Sequence, residues 1–483
     1  MGMSVRVRDT LSGQEVEIGQ HGKIGIYVCG PTVYDHIHVG NARAPLFWDV
    51  VARYLRSRGY EVTLVQNITD IDDKIINKAN EEGVSWEEIV RRYTDSFHDR
   101  LKMLGIDTNK FPDREPRATG HIPEMISLIE QLIDKGHAYA PGNGDVYYRV
   151  ESYPPYGQLS KQRPDEMRET EKGATGHKES PLDFALWKAS KPGEPSWESP
   201  WGSGRPGWHI ECSAMVEKHL PNGADIHGGG ADLRFPHHEN ELAQSDAAHP
   251  DRTFVRAWAH HGLINIASGK MAKSVGNILD VERAVELHGP NALRMWFLQG
   301  HYSQPIEYSE EILEEKGRAY ERLRNVYIQI GDSTSSSELS DSLATELKKR
   351  FDAAMRDDLD TPRALATIFE AAGRVGQEVS VRPAAAKAFL SFKCTLTKHL
   401  FILGFTVPVW SEIQLTWHVE GPPPVVKVRD GLELGEQVME KIAHREQARR
   451  EKNWSVADQL RDELNDQGWS VEDTPEGPVL SRR

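Results

Sequence analysis

Apolar and polar positions change period several times along the chain, and each change marks an element. Residues 24–29, Ile-Gly-Ile-Tyr-Val-Cys, form a short apolar run stopped by Gly30-Pro31, which predicts a buried strand. From about 41 to 58, Leu46, Val50, Val51, Tyr54 and Leu55 recur at helical spacing, and 60–67 reads as a second strand. Strand, glycine-bearing turn, helix and strand in that order open a parallel α/β domain. Such a sheet takes its ligands beyond the carboxyl ends of its strands. Cys29 and the residues after it lie at that end.

Residues 111–206 read as an insertion. A helical stretch at 123–135 precedes short strands near 145–150, and a polar tract with Pro and Gly runs over 162–206. The α/β pattern returns at Gly207 and continues to about Tyr308. Residues 310–330 are helical in pattern, 331–340 form a Ser-rich linker, and helical patterns resume between 343 and 405. A second linker, Gly421-Pro-Pro-Pro-Val425, precedes a small module at about 430–483. The expected division is 1–110 with 207–308, then 111–206, 309–420 and 430–483, without an internal repeat.

A chain of 483 residues with 38% hydrophobic and 27% charged residues suits a multidomain globular protein. No run of about 18 apolar residues predicts a membrane span, and residues 1–20 lack the apolar stretch of a signal peptide. The cytoplasm is the expected location. The three cysteines, Cys29, Cys212 and Cys394, are too few and scattered for a disulfide framework, which leaves metal binding or chemistry. A net charge of −15 argues mildly against a nucleic-acid partner, although a local basic patch is compatible with it.

Three constellations carry chemistry. In Cys29-Gly-Pro-Thr-Val-Tyr-Asp-His-Ile-His-Val-Gly-Asn41, His36 and His38 suit either metal ligation or phosphate contact. His38-Val-Gly-Asn41 falls between a strand and a helix N-terminus, where backbone N–H groups and the dipole favour anions. In Gly269-Lys-Met-Ala-Lys-Ser274, Lys270 and Lys273 suit a loop that neutralises phosphate charge. Cys29, Cys212 and His237-His-Glu-Asn-Glu241 offer the thiolate, imidazole and carboxylate donors that suit zinc. His237 and Glu241 share a helix face at spacing four, with His238 and Glu239 as rivals, and a purely structural zinc remains open.

These motifs, in collinear order, resemble those of the cysteinyl-tRNA synthetase family. The resemblance extends through Asn67-Ile-Thr-Asp-Ile-Asp-Asp-Lys74, Gly207-Trp-His-Ile-Glu-Cys212, Asp225-Ile-His-Gly-Gly-Gly230 and Asp357-Asp-Leu-Asp-Thr-Pro362. It implies an α/β fold: a Rossmann-like class I synthetase catalytic domain with a connective insertion at 111–206. A stem-contact and helical-bundle region at 309–420 and a small anticodon-side domain at 430–483 would follow. The implied reaction joins L-cysteine to tRNA(Cys) with ATP through a cysteinyl-adenylate; the alternative is a cysteine ligase acylating an amino-sugar.

The implied cofactors are one zinc ion (Zn2+) per chain, held by Cys29, Cys212, His237 and Glu241, and Mg2+ with ATP. The implied catalytic residues are His36, His38, Lys270 and Lys273. Gly40, Asn41 and Gly229 would join His38 and both lysines at ATP, and the glycines at 228–230 would let the backbone approach the adenylate. Thr69, Trp208, His227 and Asp232 would hold the substrate, while Asp70, Asp72 and Asp73 read mainly as turn and cap residues. Arg445, Arg449, Arg450 and Lys452 would form a basic patch on the tail. The signature departs from the common pattern twice, with Asn41 in place of histidine and Ala272 in place of serine.

Overall fold

The chain opens with an antiparallel hairpin, β1 (Val5–Arg8) and β2 (Glu15–Ile18). The computed structural model describes residues 4–163, 167, 177–266, 269–270, 279–331, 333–406, 410–414, 425–429, 436–474 and 477–482. The apolar run becomes β3 (Lys23–Val28), and the helical spacing becomes α1 (Val39–Ser57), which buries Leu46, Val50, Val51, Tyr54 and Leu55. β4 (Glu61–Gln66) then returns parallel to β3. Asp72 caps α2 (Asp73–Glu82) by accepting from the Lys74 N–H at 2.9 Å, and Ser85 caps α3 (Trp86–Met103). Asp70 instead accepts the N–H and hydroxyl of Thr119, 49 residues away, so the cap reading of this acidic cluster holds for Asp72. Asp73 differs: it pairs with Arg205 and Lys188.

The insertion packs on an apolar cluster that it shares with Ile71 and Ile76 before it and Ile210, Ala214, Ala243 and Ala247 after it. α4 (Ile122–Asp134) covers an antiparallel sheet in the order β5 (Ala138–Tyr139), β6 (Val146–Tyr148), β7 (Phe184–Ala189), β8 (Gly204–Pro206). Met125, Leu128, Ile129, Leu132, Tyr148, Phe184 and Trp187 pack together there. β7 and β8 fall inside the tract read as polar from sequence. Phe184, Ala185, Leu186 and Trp187 are all buried, so the strand shows no alternation, and its Ser, Pro and Gly flanks masked it.

α5 (Trp208–His219) leads back to the parallel sheet through β9 (Ala224–Gly230), α6 (Glu239–Ala248) and β10 (Val255–His261). The strand order is β10-β9-β3-β4, all parallel. From β3 the chain moves outward to β4 and later to β9 on the other side. That reversal makes a switch point at the carboxyl ends of β3 and β9, where an open α/β sheet leaves its ligand crevice.

β11 (Ile264–Ile266) pairs with β12 (Gly269–Lys270), and α7 (Val281–His288) and α8 (Pro290–Gln299) precede β13 (Ile306–Tyr308). The helical remainder is α9 (Glu310–Gln329), α10 (Glu338–Met355), α11 (Thr361–Val381) and α12 (Leu390–Ile402). Ser337 caps α10, so the Ser-rich linker ends earlier than its composition suggests.

The contacts divide the chain into two compact units, 1–405 and 406–483. The second holds a sheet ordered β14 (Trp410–Gln414), β15 (Val425–Arg429), β17 (Gly477–Arg482), β16 (Trp469–Thr474), with α13 (Glu436–Arg450) and α14 (Trp454–Asp466). It therefore reaches back beyond the module expected from 430, because two of its strands precede that point. Among the described residues no helix is long and apolar enough to cross a membrane.

Candidate active site and metal centre

The switch point gathers residues far apart in sequence. Cys29 follows β3, Cys212 lies on α5, His227 lies on β9, and His237 and Glu241 flank the start of α6. Cys212, His237 and Glu241 are each at most 1% exposed. The Cys29 and Cys212 sulfurs are 3.8 Å apart, Cys29 Sγ is 3.7 Å from Glu241 Oε1, and His237 Nε2 is 3.1 Å from the same oxygen. Tetrahedral zinc with ordinary bond lengths requires edges of about 3.8 Å for S–S, 3.5 Å for S–O and 3.3 Å for N–O. All three observed edges agree to within a few tenths of an ångström, so these residues fit zinc.

A second group, Cys29, His227, His238 and Glu241, shares two of these donors. It fits less well, because His238 Nε2 lies 4.0 Å from Glu241 Oε1. His238 Nε2 is nonetheless 3.3 Å from Cys29 Sγ, and its Nδ1 is held by His260 Nε2 at 2.8 Å, with His260 Nδ1 meeting Thr10 Oγ1 at 2.9 Å. The rival Glu239 is consumed elsewhere: its carboxylate accepts the Gly157 and Ser160 N–H groups at 2.9 and 2.7 Å. His209 Nδ1 sits 3.0 Å from His237 Nδ1. That shared proton leaves the opposite nitrogen of His237 facing Glu241, the orienting role that a partner behind a metal-ligating histidine commonly plays.

The electrostatics of the donors are uneven. Hydrogen bonding from Cys29 is the largest influence on Cys212 and brings its thiol down to about 6. Burial, followed by the same hydrogen bond, pushes the Cys29 thiol well up. Burial alone lowers His237, but Glu241 and Cys212 outweigh it, and the net shift is upward. His209 and His238 are pushed well below the ordinary imidazole value by burial and by neighbouring histidines.

The residues expected around the substrate surround this centre unequally. Trp208 is 37% exposed and stacks on His237 with ring centroids 4.3 Å apart. His227 is fully buried, stacks on Trp258 at 4.7 Å and meets Glu241 Oε2 through Nε2 at 2.8 Å. Buried Thr69 donates to Glu211 Oε2 at 3.2 Å and accepts from Asn67, whose Oδ1 takes the Gly30 N–H at 2.9 Å. Asp232 is exposed at the end of β9.

The signature loop lies next to these residues in the chain. His38 is the N-cap of α1, and Asn41 at N3 accepts the His38 N–H through Oδ1 at 3.2 Å. That cap gives the asparagine, the first departure from the common signature, a structural task. A Cβ at Gly40 would fall 2.7 Å from His38 Cε1, so any other residue there would displace the His38 ring. His36 points elsewhere, with Nδ1 2.6 Å from Ser96 Oγ and its ring edge-on to Tyr93. At Gly228 and Gly229 the Cβ positions are filled by Trp48 and His238. These glycines make room for protein side chains, so only their backbone groups can meet a nucleotide. Lys270 ends β12, while Lys273 and Ala272 lie outside the described residues.

Sequence reading missed His209, the His238–His260–Thr10 chain, and the buried Glu211. Only the high histidine density around 209, 227, 237–238 and 260–261 signalled them. The tail patch is corrected at two of its four residues, since Arg450 and Lys452 are exposed. Arg445 is 1% exposed and forms a bidentate pair with Asp473 at 2.8 and 2.9 Å, and Arg449 reaches the same carboxylate at 2.6 Å.

Comparison with known proteins supplies the family and the fold. Residues 15–318 match the catalytic domain of class I (C) tRNA synthetases, 350–407 the DALR domain, and 433–477 the cysteinyl-tRNA ligase anticodon binding domain. The chain is 65% identical over 481 residues to a cysteine–tRNA ligase of Rubrobacter xylanophilus, covering 100% of both chains. It is 42% identical to that of Thermodesulfovibrio yellowstonii, covering 98% of this chain and 99% of the relative. Among solved structures, Mycobacterium tuberculosis methionyl-tRNA synthetase in complex with methionyl-adenylate shares the fold. Its TM-score is 0.57 at 17% identity, over 79% of this chain and 89% of that one. The chain belongs to the cysteine–tRNA ligase family of class I aminoacyl-tRNA synthetases.

Proposed function

We propose that this enzyme joins L-cysteine to the 3′ end of tRNA(Cys) through a cysteinyl-adenylate, with Zn2+ held by Cys29, Cys212, His237 and Glu241. The observation that carries the reading is the buried two-sulfur, imidazole and carboxylate cluster at the switch point. Bound there, zinc supplies a Lewis acid that accepts a thiolate sulfur far better than a hydroxyl. That preference separates cysteine from serine, which a shape-reading pocket distinguishes only weakly.

The remaining work falls to the chain. Trp208 and His227 border the substrate side chain, and Thr69 and Asp232 orient its ammonium and backbone. The cysteine carboxylate attacks the α-phosphorus of ATP, the bond to the bridging oxygen breaks, and pyrophosphate leaves. His38, Gly40, Asn41 and the N-terminus of α1 meet the phosphates, with Gly229 offering backbone groups and His36 at the exposed rim. Lys270 and Lys273 neutralise charge on the departing pyrophosphate, with Mg2+ carried by ATP. The terminal adenosine hydroxyl of the tRNA then attacks the activated carbonyl and AMP leaves.

The acceptor assignment is supported by the anticodon-binding match at 433–477, which an amino-sugar ligase has no use for. By the same reading, 1–110 with 207–308 catalyse, 111–206 insert between them, 309–420 contact the tRNA stem, and 430–483 face the anticodon. Free thiols at the centre suit a reducing cytoplasm.

The test is pyrophosphate release and labelled-cysteine transfer to tRNA, with cysteine or serine, on zinc-replete and chelated enzyme. Cysteine charging of tRNA that disappears on chelation and is not matched by serine is the expected result. Activation without charging of any tRNA would move the acceptor to an amino-sugar. Absence of cysteine-dependent pyrophosphate release from folded, zinc-loaded enzyme refutes the mechanism.

A further inference from the structure

Glu211 is a buried carboxylate beside the metal donors, yet no step of the reaction uses it. It lies on α5 between Trp208 and Cys212, and both Glu211 and Cys212 fall one helical turn after Trp208. Trp208 borders the substrate and Cys212 is a zinc donor, which puts Glu211 against the same crevice. Glu211 is 1% exposed, and among the described residues only the Thr69 hydroxyl donates to it, at 3.2 Å. Burial opposes a charge there most, and Cys212, Asp72 and Asp70 add to the cost. Those two aspartates are spent locally, Asp72 on the Lys74 N–H and Asp70 on Thr119. A carboxylate so placed is costly unless a cation comes beside it.

Its one contact has a fixed direction. Asn67 Oδ1 accepts the Gly30 N–H at 2.9 Å, so the other end of that amide, Nδ2, donates to Thr69 Oγ1 at 3.2 Å. Gly30 is itself pinned, since a Cβ there would fall 1.5 Å from the Asn67 backbone oxygen. A hydroxyl has one proton and two lone pairs. With one lone pair taken by Asn67, the Thr69 proton goes to Glu211 and the second lone pair is left to accept. An acceptor backed by a buried negative charge suits an ammonium, and the substrate brings one into this crevice.

We infer that Glu211 is a positioning residue for the substrate's α-ammonium. It takes the Thr69 proton, so that Thr69 can only accept from the ammonium, and it supplies the counter-charge behind that hydroxyl. The inference deepens the proposed role of Thr69 and rests on that reading. Zinc reads the thiol and cannot tell cysteine from 3-mercaptopropionate, which keeps the thiol and carboxylate but lacks the amine. Glu211 and Thr69 make that distinction, because a site built to bond an N–H leaves its buried polar groups unpaired with an analogue that has none.

The experiment uses full-length, zinc-loaded enzyme and cysteine-dependent pyrophosphate release. It yields the KM for cysteine and, by competition, the Ki of 3-mercaptopropionate. Glu211→Gln keeps the shape, removes the charge and offers Thr69 an N–H. The KM should rise about 100-fold while the Ki stays within about threefold. Zinc content should be unchanged, a control that matters because Cys212 Sγ lies 3.9 Å from Asn67 Oδ1. Thr69→Val should give the same split, and the double variant should be no worse than either alone.

A KM and Ki that rise together, or a loss of zinc, would make Glu211 a support of the metal centre and overturn the inference. An unchanged KM, the outcome expected of a neutral carboxyl, overturns it as well. If Glu211→Gln does not fold, Glu211→Asp, which draws the carboxylate back from Thr69, carries the same comparison. Wild-type cysteine charging of tRNA, measured beside the variants, separates failure of the inference from failure of the functional reading.

Discussion

Replacement of Cys212 by serine separates the two donor sets that the structure offers for zinc. The sets share Cys29 and Glu241 but differ in sulfur count: the favoured one has two sulfurs, the rival one. Zinc bound by four protein donors is worth about 10–16 kcal/mol at neutral pH. An even share is about 2.5–4 kcal/mol per donor, or roughly 100- to 1000-fold in affinity. At 1% exposure of Cys212, bulk water has little access to make up the missing ligand. Cys212→Ser should therefore weaken zinc about 100-fold or more, while His238→Gln, which removes only a neighbour, should cost about tenfold.

Competition against a chromogenic chelator gives the affinities. X-ray absorption at the zinc edge gives the number of sulfurs at about 2.3 Å, with two expected in the wild type and one in Cys212→Ser. A wild type with one sulfur, or a Cys212→Ser enzyme with unchanged affinity, refutes the assignment in favour of the His227–His238 set. A loss of fold would be visible by circular dichroism, and in that case the wild-type sulfur count alone still decides.

Other consequences are checked more simply. Gly228→Ala places a Cβ 2.2 Å from the buried Trp48 indole, and should cost about 1–3 kcal/mol in urea unfolding. Arg445→Met takes one guanidinium from Asp473, which keeps Arg449 at 2.6 Å and is 36% exposed. The loss should therefore be about 2 kcal/mol, below the 3–5 kcal/mol of a fully buried pair. It should appear in tRNA charging at elevated temperature while cysteine activation persists. His98 donates to Glu115 at 2.9 Å, and that hydrogen bond, the largest influence, raises the imidazole's pKa. A raised folded pKa stabilises fully below the unfolded value of about 6.5 and fades as pH climbs through the folded one. Wild type should therefore exceed Glu115→Gln in stability by up to about 1 kcal/mol at pH 6, with the gap closing above pH 8.

The legible parts of this sequence were those whose pattern is local. β3, α1 and β4 announce themselves by period, and Cys29 stands at a strand end that a parallel sheet reserves for ligands. His237 and Glu241 are legible as partners because four residues make one helical turn. What local pattern could not convey is which buried polar group is spent on what. Glu239 looks as good a ligand as Glu241 until its oxygens are seen to accept two backbone N–H groups. Arg445 looks like a solvent-facing cation until Asp473 is found across from it. Both are settled by contacts between distant segments, which composition does not encode.

The cysteines show why. Cys29 and Cys212 are 183 positions apart, yet their sulfurs stand 3.8 Å from each other. No spacing rule of the kind that reveals a zinc finger operates at that separation. What brings them together is topology: β9 lies parallel beside β3, and α5, which runs back along the sheet before β9 begins, carries Cys212 in its first half, beside the carboxyl end of β3. The intervening chain packs against α5 and α6 themselves, so the distance is closed by packing energy and not left to loop entropy. The site depends on the register of β3 with β9, at Ile26–Ile226, Tyr27–His227 and Val28–Gly228. A slip of one residue there would turn His227 away from Glu241 and break the centre without altering any ligand.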